Sequence, residues 1–205
     1  MTPVPQKRGP GRPRSFDNAA ALESATRCFW SRGYARATMG VLSREMSVPR
    51  ASLYAHFGDK DGLFLLAIDH YARSRSAKAL AHLTGQGDAF AEVSRFFDAA
   101  ITLVTSDPAT PGCLIACVLS EAATADQRFQ EVLVGKTQKL EQRLSTCLRA
   151  SDAGLPEDEI RARAGILAAT VRGLAISARA GIPADTLRET ASMAARLTCG
   201  NAQSW

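Results

Sequence analysis

Apolar side chains recur every three or four positions along most of the chain, which is the spacing of one face of an α-helix. Glycines, prolines and short polar stretches divide this pattern into segments. It predicts helices at residues 16–32, 38–46, 50–57, 60–82, 88–105, 113–124, 126–150, 156–180 and 183–199. Because no useful stretch alternates apolar and polar residues as a strand would, the predicted fold class is all-α.

The same pattern divides the chain into three parts. Residues 1–15 are rich in proline, glycine and basic residues, which predicts a flexible cationic arm. Residues 16–60 hold the first three helices, and residues 61–205 hold the remaining ones. The segment 113–124 is almost wholly apolar, so we expect that helix to be central and buried.

The predicted helices at 38–46 and 50–57 are separated only by Ser47, Val48 and Pro49. Two short helices joined in this way form a helix-turn-helix, and its DNA-binding form lays the second helix in the major groove. Small or hydrogen-bonding side chains let that helix approach the bases, and an arginine can reach a guanine or a phosphate. Residues of this kind are Arg50, Ala51, Ser52, Tyr54 and His56, with Lys60 placed to meet a phosphate.

Charge strengthens the DNA-binding interpretation. The 205 residues are 46% apolar and 22% charged, which excludes wholesale disorder. Residues 1–60 hold ten lysines and arginines against four acidic residues, whereas residues 61–205 hold fifteen against sixteen. The whole positive excess therefore lies in the first third of the chain, which holds the arm and the helix-turn-helix, as expected of a module that binds a polyanion.

Other classes of protein find little support. No apolar run approaches the ~20 residues of a membrane-spanning helix, and none follows the basic N-terminus as in a signal peptide, so we expect a cytoplasmic protein. The five cysteines form no C-x-x-C pair and the three histidines are scattered, so no metal site or cofactor is expected. No phosphate-binding glycine loop, nucleophile elbow or H-E-x-x-H motif is present, and we predict that the protein is not an enzyme.

The motif residues also resemble a known family. The string LYAHFGDK at 53–60, preceded by RGY at 32–34 and by Thr38, is similar to the tetracycline-repressor-type (TetR) family over about residues 16–66. The resemblance implies a homodimeric, ligand-responsive transcriptional repressor with a three-helix DNA-binding domain and a larger helical domain for effector binding and dimerisation. The chain departs from the family pattern where Ser47 replaces a glycine and where Met39-Gly40 lacks the polar residue usual after Thr38.

The resemblance also implies roles for individual residues. It makes Thr38 a phosphate contact, Arg50, Ala51 and Ser52 base-facing residues, and Tyr54 and His56 backbone contacts with Lys60 behind them. Arms similar to Gly11-Arg12-Pro13-Arg14 precede many members, which implies that Arg12 and Arg14 enter an A·T-rich minor groove. The alternatives are a solvated tail and, for His56, an ordinary surface histidine.

For the larger domain, the resemblance implies a homodimer formed by the helices at about 156–180 and 183–199, so that two recognition helices meet a pseudopalindromic operator. Alanines that would permit close helix approach are Ala164, Ala168, Ala169, Ala175, Ala178, Ala191, Ala194 and Ala195. The same alanines could instead pack only within one protomer.

An unknown small-molecule effector is expected to bind inside this domain. Candidate pocket residues are Phe64, Tyr71, Phe97, Ile101, Cys113, Leu114, Cys117, Val118, Glu121, Leu167 and Val171. Each could equally be plain core. Glu121 is a buried-looking acid on an apolar helix, and it could face a ligand, a partner such as Arg172, or water. Cys113 stands at a predicted helix N-terminus, where the dipole would lower the pKa of its thiol and favour thiol sensing.

Two interpretations therefore compete, a ligand-responsive DNA-binding regulator and a protein-interaction adaptor with a vestigial helix-turn-helix. The adaptor would need a neutralised recognition surface, and Arg50, Tyr54, His56 and Lys60 argue against one. Whether the effector releases or promotes DNA binding is left open at this stage.

Overall fold

The computed structural model describes residues 18–151 and 154–200, and every regular element in that part of the chain is helical. The predicted all-α class is confirmed. The helices are α1 (Asn18–Arg36), α2 (Met39–Glu45), α3 (Arg50–Phe57), α4 (Lys60–Tyr71, continued by a π-helical turn Ala72–Ser76 and an α-helical turn Ala77–Leu80), α5 (Ala89–Thr105), α6 (π-helical Leu114–Leu119, then Ser120–Ala122), α7 (Gln127–Ser151), α8 (Glu157–Arg179) and α9 (Ala184–Cys199).

Side-chain caps determine where several of these helices begin. The side chains of Thr38, Asp59 and Asp88 each accept a hydrogen bond from the backbone N–H three residues further on, at 3.3, 2.8 and 2.8 Å. Each cap satisfies a donor that the first helical turn leaves free, which typically stabilises the helix by ~1 kcal/mol. Pro156 is the N-cap of α8, so the helix begins at Glu157, one residue later than the sequence suggests.

The sequence predicts that Gly33 ends the first helix, and Gly33 does interrupt α1 with a non-helical φ of 79° and ψ of 165°, after which a further helical turn runs to Arg36. One correction concerns the burial of α6. In the first half of α6, Leu114, Val118 and Leu119 are buried as predicted but residues 115–117 are only half-buried. That half is π-helical, and its i→i+5 hydrogen bonds rotate the residues that follow. Glu121, expected to be a buried acid, is therefore exposed.

One hydrophobic core lies beneath the helix-turn-helix and joins α1–α4 to α6 and to the beginning of α7. At its centre the ring of Phe64 lies 4.9 Å from Phe29, 4.9 Å from Tyr34 and 5.2 Å from Phe129, measured between centroids. Each buried aromatic side chain contributes roughly 1.5–3 kcal/mol by leaving water. Since Phe129 belongs to α7, the N-terminal helices share their core with a distant part of the chain.

A second core is formed by α5, α7, α8 and α9, with the end of α4 packed against them. It contains most of the alanines that the sequence suggested for a dimer interface, namely Ala164, Ala168, Ala175, Ala178, Ala191 and Ala195. These six residues pack within the protomer, whereas Ala169 is exposed and Ala194 is half-buried. The domain boundaries near residues 15 and 60 remain predictions.

Candidate DNA-binding surface and effector region

Two serines shape the turn between α2 and α3, Ser43 within α2 and Ser47 in the turn itself. Ser47 has a φ of 55°, the left-handed conformation that favours glycine. The hydroxyl of Ser43 donates a hydrogen bond of 2.6 Å to the carbonyl oxygen of Val48. With Met46 and Val48 buried, the turn sets the orientation of α3 relative to α2.

α3 turns one face to its core and the other to solvent. Leu53 is fully buried and Phe57 is half-buried against the same core, as the sequence predicted. The exposed residues of the helix are Arg50, Ala51, Tyr54, Ala55 and His56, with Ser52 half-buried. His56 Nδ1 lies 3.0 Å from the carbonyl oxygen of Ser52. The helix therefore presents small and hydrogen-bonding groups together.

Lys60, expected behind this face, is held partly within the protein. Its Nζ lies 3.9 Å from the centre of the Tyr34 ring and donates a hydrogen bond of 3.3 Å to the Tyr34 carbonyl oxygen. The Tyr34 hydroxyl in turn donates to the carboxylate of Asp61, which also pairs with Arg128 of α7 at 2.5 Å. Burial, with Asp61 as a further cause, raises the pKa of Tyr34 above its usual range. Arg12 and Arg14 lie outside the described residues.

A junction that the sequence did not reveal connects α1 to the rest of the protein. The indole Nε1 of Trp30 donates a hydrogen bond of 3.1 Å to the carbonyl oxygen of Gly112. Gly112 has a φ of 79°, and a Cβ there would lie 2.9 Å from the carbonyl oxygen of Ala175 and 2.9 Å from Cβ of Arg179, both in α8. Only glycine therefore fits at position 112, between α1 and α8. No local sequence pattern predicts contacts between residues so far apart in the chain.

Cys113 follows this glycine and packs against both cores. Its Sγ accepts a hydrogen bond of 3.4 Å from the hydroxyl of the fully buried Tyr71. Burial raises the pKa of the Cys113 thiol, and the hydrogen bond from Tyr71 offsets only part of that rise. The expectation of a thiol pKa lowered by a helix dipole is therefore wrong, because the cost of burying a thiolate exceeds the stabilisation that the helix N-terminus offers.

The other candidate pocket residues are spread over both cores. Phe64, Leu114 and Val118 lie in the core beneath the helix-turn-helix, and Phe97, Ile101 and Leu167 lie in the second core. Cys117 and Val171 are half-buried, and the Cys117 thiol lies 3.8 Å from the carbonyl oxygen of Ala175. The effector pocket remains a prediction.

Two cavities open elsewhere at the surface. The first, of about 470 Å³, is lined by residues 123–127, 130, 131 and 134, and the second, of about 340 Å³, lies between α4 and α7 beside Ile68 and Lys136. Within the described residues, no group of three or more histidine, cysteine or acidic side chains is placed to hold a metal ion. None of the described helices combines the length and the apolar character needed to cross a membrane.

Another unanticipated cluster ties α1 to the π-helical turn of α4. Glu23 accepts hydrogen bonds from Arg75 at 2.5 and 3.0 Å, and its carboxylate lies 2.9 Å from Nε2 of His70. The Arg75 guanidinium also lies 5.7 Å from the ring centre of Trp30. The hydrogen bonds from Arg75, together with His70, lower the pKa of Glu23 to about 2 although partial burial opposes this. α1 is therefore anchored to α4 at the level of the junction with Gly112.

A helix-turn-helix with an exposed, small-residue second helix on an all-helical body defines a class of DNA-binding proteins. The model of bacterial regulatory proteins of the tetR family matches residues 21–67. The HTH-type transcriptional repressor ComR of Escherichia coli is 27% identical over 177 residues, which cover 84% of each chain. The HTH-type transcriptional repressor AcnR of Corynebacterium glutamicum is 45% identical over 53 residues, or 25% of this chain and 28% of AcnR.

Solved structures agree with these relatives. A cysteine mutant of the TetR family transcriptional regulator CifR, in complex with 26-bp double-strand operator DNA, superposes with a TM-score of 0.81. It is 29% identical, and the match covers 91% of this chain and 98% of that one. Residues 21–67 therefore match the DNA-binding part of the tetR family of bacterial regulatory proteins, and the chain is a DNA-binding transcriptional regulator similar to TetR-family repressors rather than an enzyme.

Proposed function

We propose that this regulator is a homodimeric repressor that leaves a pseudopalindromic operator when a small-molecule effector binds or when a thiol is modified. The observation that carries the proposal is the solvent-facing surface of α3, which presents Arg50, Ala51, Tyr54 and His56 beside the capping residue Thr38. The small residues allow close approach to base edges, and the longer ones reach bases or phosphates. The Arg12 and Arg14 arm would add contacts in the adjacent minor groove.

Dimerisation is supported by apolar residues left uncovered on the last two helices. Ile166 and Ile176 of α8 are 53% and 56% exposed, and Met193 and Leu197 of α9 are 50% and 51% exposed. Exposed Ala169 and Gly173 lie along α8 between the two isoleucines. An apolar stripe over two helices favours burial against a second copy, and a two-fold axis there would pair the two α3 helices on neighbouring turns of DNA.

Release is supported by the position of Cys113 between the two cores. A group attached to its Sγ, or a ligand inserted beside it, would displace the Tyr71 hydroxyl and press on the loop that carries Gly112. Because Gly112 contacts both α1 and α8, a shift there changes how the helix-turn-helix sits on the dimer. For release, the effector must have a higher affinity for the conformation that fits the operator poorly than for the conformation that fits it well.

A gel-shift assay with DNA flanking the gene of this protein tests the proposal. We expect a specific shift with purified protein, and we would repeat it with a mild electrophile and with a Cys113→Ser variant. Loss of the shift in the wild type, but not in the variant, would indicate release through Cys113. A shift that the electrophile leaves intact would direct the search to small-molecule ligands, and a protein that selects no sequence even from a random DNA pool would contradict the proposal.

A further inference from the structure

Gly40 and Arg50 share one place on the surface of the helix-turn-helix. A Cβ built at Gly40, in the first turn of α2, would lie 2.1 Å from Nη2 and 3.0 Å from Cζ of Arg50, the first residue of α3. Real Cβ atoms do not approach another atom so closely. The guanidinium of Arg50 therefore occupies the space that any side chain at position 40 would fill.

Backbone conformation does not explain why position 40 is a glycine. Gly40 does not have a positive φ, and it lies within a regular α-helix. Glycine at such a position costs roughly 1 kcal/mol relative to alanine. The structural reason for glycine at position 40 is therefore the absence of a side chain. The guanidinium of Arg50 occupies the space that this absence leaves.

The location of the guanidinium bears on what it can contact. In a DNA-binding helix-turn-helix the first helix crosses the DNA backbone while the second enters the major groove. An arginine that extends from α3 straight into the groove would meet base edges, whereas the guanidinium of Arg50 lies over Gly40 in the first turn of α2. Arg50 is also exposed, so its charge is available to DNA.

We propose that Gly40 is a positioning residue for operator binding, because it lets Arg50 lie across α2 and bind a backbone phosphate instead of a base. The inference rests on the proposed function in one respect, namely that α3 is the recognition helix. The inference also accounts for one position at which the sequence departs from the family pattern. Met39-Gly40 lacks the polar residue that the family usually has after Thr38, and Arg50 supplies from α3 the polar group that α2 lacks.

Phosphate and base contacts leave different signatures in binding data. A phosphate contact raises affinity for all sequences and adds about 0.9 to the slope of log affinity against log salt, without discriminating between bases. A bidentate base contact instead adds discrimination at one base pair. The two roles of Arg50 can therefore be separated by measurements on the full-length protein.

The experiment is a double-mutant cycle with Gly40→Ala, Arg50→Ala and the double variant. The control is Gly135→Ala, because Gly135 also lies within a helix and a Cβ there would meet nothing within 4 Å. The probe is a duplex that the wild-type protein selects from a random pool, together with its single-base variants. Fluorescence anisotropy at several salt concentrations gives the affinity, the salt slope and the discrimination between bases.

We expect Arg50→Ala to weaken binding roughly tenfold on the selected duplex and on its variants alike, and to lower the salt slope by about 0.9 for each phosphate that the protein no longer neutralises. Gly40→Ala displaces only the flexible end of Arg50, so it should keep the fold, weaken binding several-fold and lower the slope similarly. In the Arg50→Ala background the same change should have no further effect, and Gly135→Ala should bind like the wild type.

Three outcomes would overturn the inference. Arg50→Ala could relax the choice of one base pair and keep the full salt slope, which would make Arg50 a base reader. Gly40→Ala could leave binding unchanged or act independently of Arg50, which would remove its positioning role while α3 remains the recognition helix. If Arg50→Ala and Tyr54→Ala both left binding unchanged, the assignment of α3 in the proposed function would fail, and this inference with it.

Discussion

The indole of Trp30 in α1 and the carbonyl of Gly112, just ahead of α6, are joined by a buried hydrogen bond of 3.1 Å. The Trp30 ring packs edge-on against Tyr71 of α4, with centroids 4.8 Å apart. This pair connects the first helix of the DNA-binding module to the loop that contacts α8. A movement of that loop reaches α1 through this hydrogen bond and through the ion pair of Arg27 with Asp107, at 2.8 Å.

Trp30→Phe is expected to lower the free energy of unfolding by about 1–3 kcal/mol, because the Gly112 carbonyl loses its donor in a buried place while an aromatic ring is retained. Urea denaturation followed by circular dichroism measures the change. A variant as stable as the wild type would mean that water satisfies the carbonyl, and would remove this hydrogen bond from the account of the junction.

Gly112→Ala and Gly181→Ala form a matched pair. Both glycines have positive φ, 79° and 90°, so alanine costs roughly 1–2 kcal/mol of backbone strain at either position. At Gly112 the new Cβ would also crowd Ala175 and Arg179, whereas at Gly181 it would meet nothing within 4 Å. We expect the first variant to lose about 1–3 kcal/mol more than the second. Equal denaturation midpoints for the two variants would show that α8 moves aside for the new methyl group without a loss of stability.

The pairing of Glu23 with Arg75 and His70 predicts a dependence of stability on acid. The pKa of Glu23 is lowered to about 2 in the folded protein, below the ordinary value of about 4.3. Its contribution is therefore complete above that ordinary value and is lost as the pH falls towards 2. The stability difference between wild type and Glu23→Gln, measured by urea denaturation, should shrink between about pH 5 and pH 2. A difference independent of pH would rule out a contribution from the charge.

Ile176→Glu is expected to dissociate the proposed dimer, because it places a charge in the exposed apolar stripe of α8. Val134→Glu is the control, since Val134 is 46% exposed but lies on α7. Sedimentation velocity should show a monomer for the first variant and a dimer for the second. If both remained dimeric, the interface would have to lie away from this part of α8.

Cys113 should react slowly with alkylating reagents at neutral pH, because the thiolate is the nucleophile and burial raises the pKa of this thiol. The rate should keep rising above about pH 8.5, the ordinary value for cysteine. Tyr71→Phe removes the hydrogen bond that favours the thiolate, so it should slow the reaction further wherever access is unchanged. Mass spectrometry of alkylated peptides gives the rates, and a plateau already reached at pH 7 would contradict the prediction.

Much of the fold is accessible from the sequence because it depends on local pattern. The run from Leu63 to Tyr71 has the spacing of a buried helical face, and Leu63, Phe64, Ala67, Ile68 and Tyr71 are all buried. The expectation for Glu121 is wrong for an equally local reason. It assumes 3.6 residues per turn, and the π-helical stretch ahead of Glu121 does not obey that period.

The candidate site is predictable only in part. The helix-turn-helix is indicated by short helices, a three-residue turn and charge, all of which lie close together in sequence. The contact between Trp30 and Gly112, 82 positions apart, depends on how the chain folds back. The direction of the Arg50 guanidinium depends on an empty space at Gly40 in another helix, and no periodicity encodes such a space.

The core beneath the helix-turn-helix has a consequence for building hybrid regulators. A fragment cut near residue 60 would leave behind Leu114, Val118, Leu119 and Phe129, which complete that core. Grafting this module onto another family member therefore transfers only part of an interior, and the graft meets foreign side chains where its own α6 and α7 should be. Successful exchanges would carry the segment from Gly112 to Phe129 along with the N-terminal helices, so that the module keeps the interior on which its orientation depends.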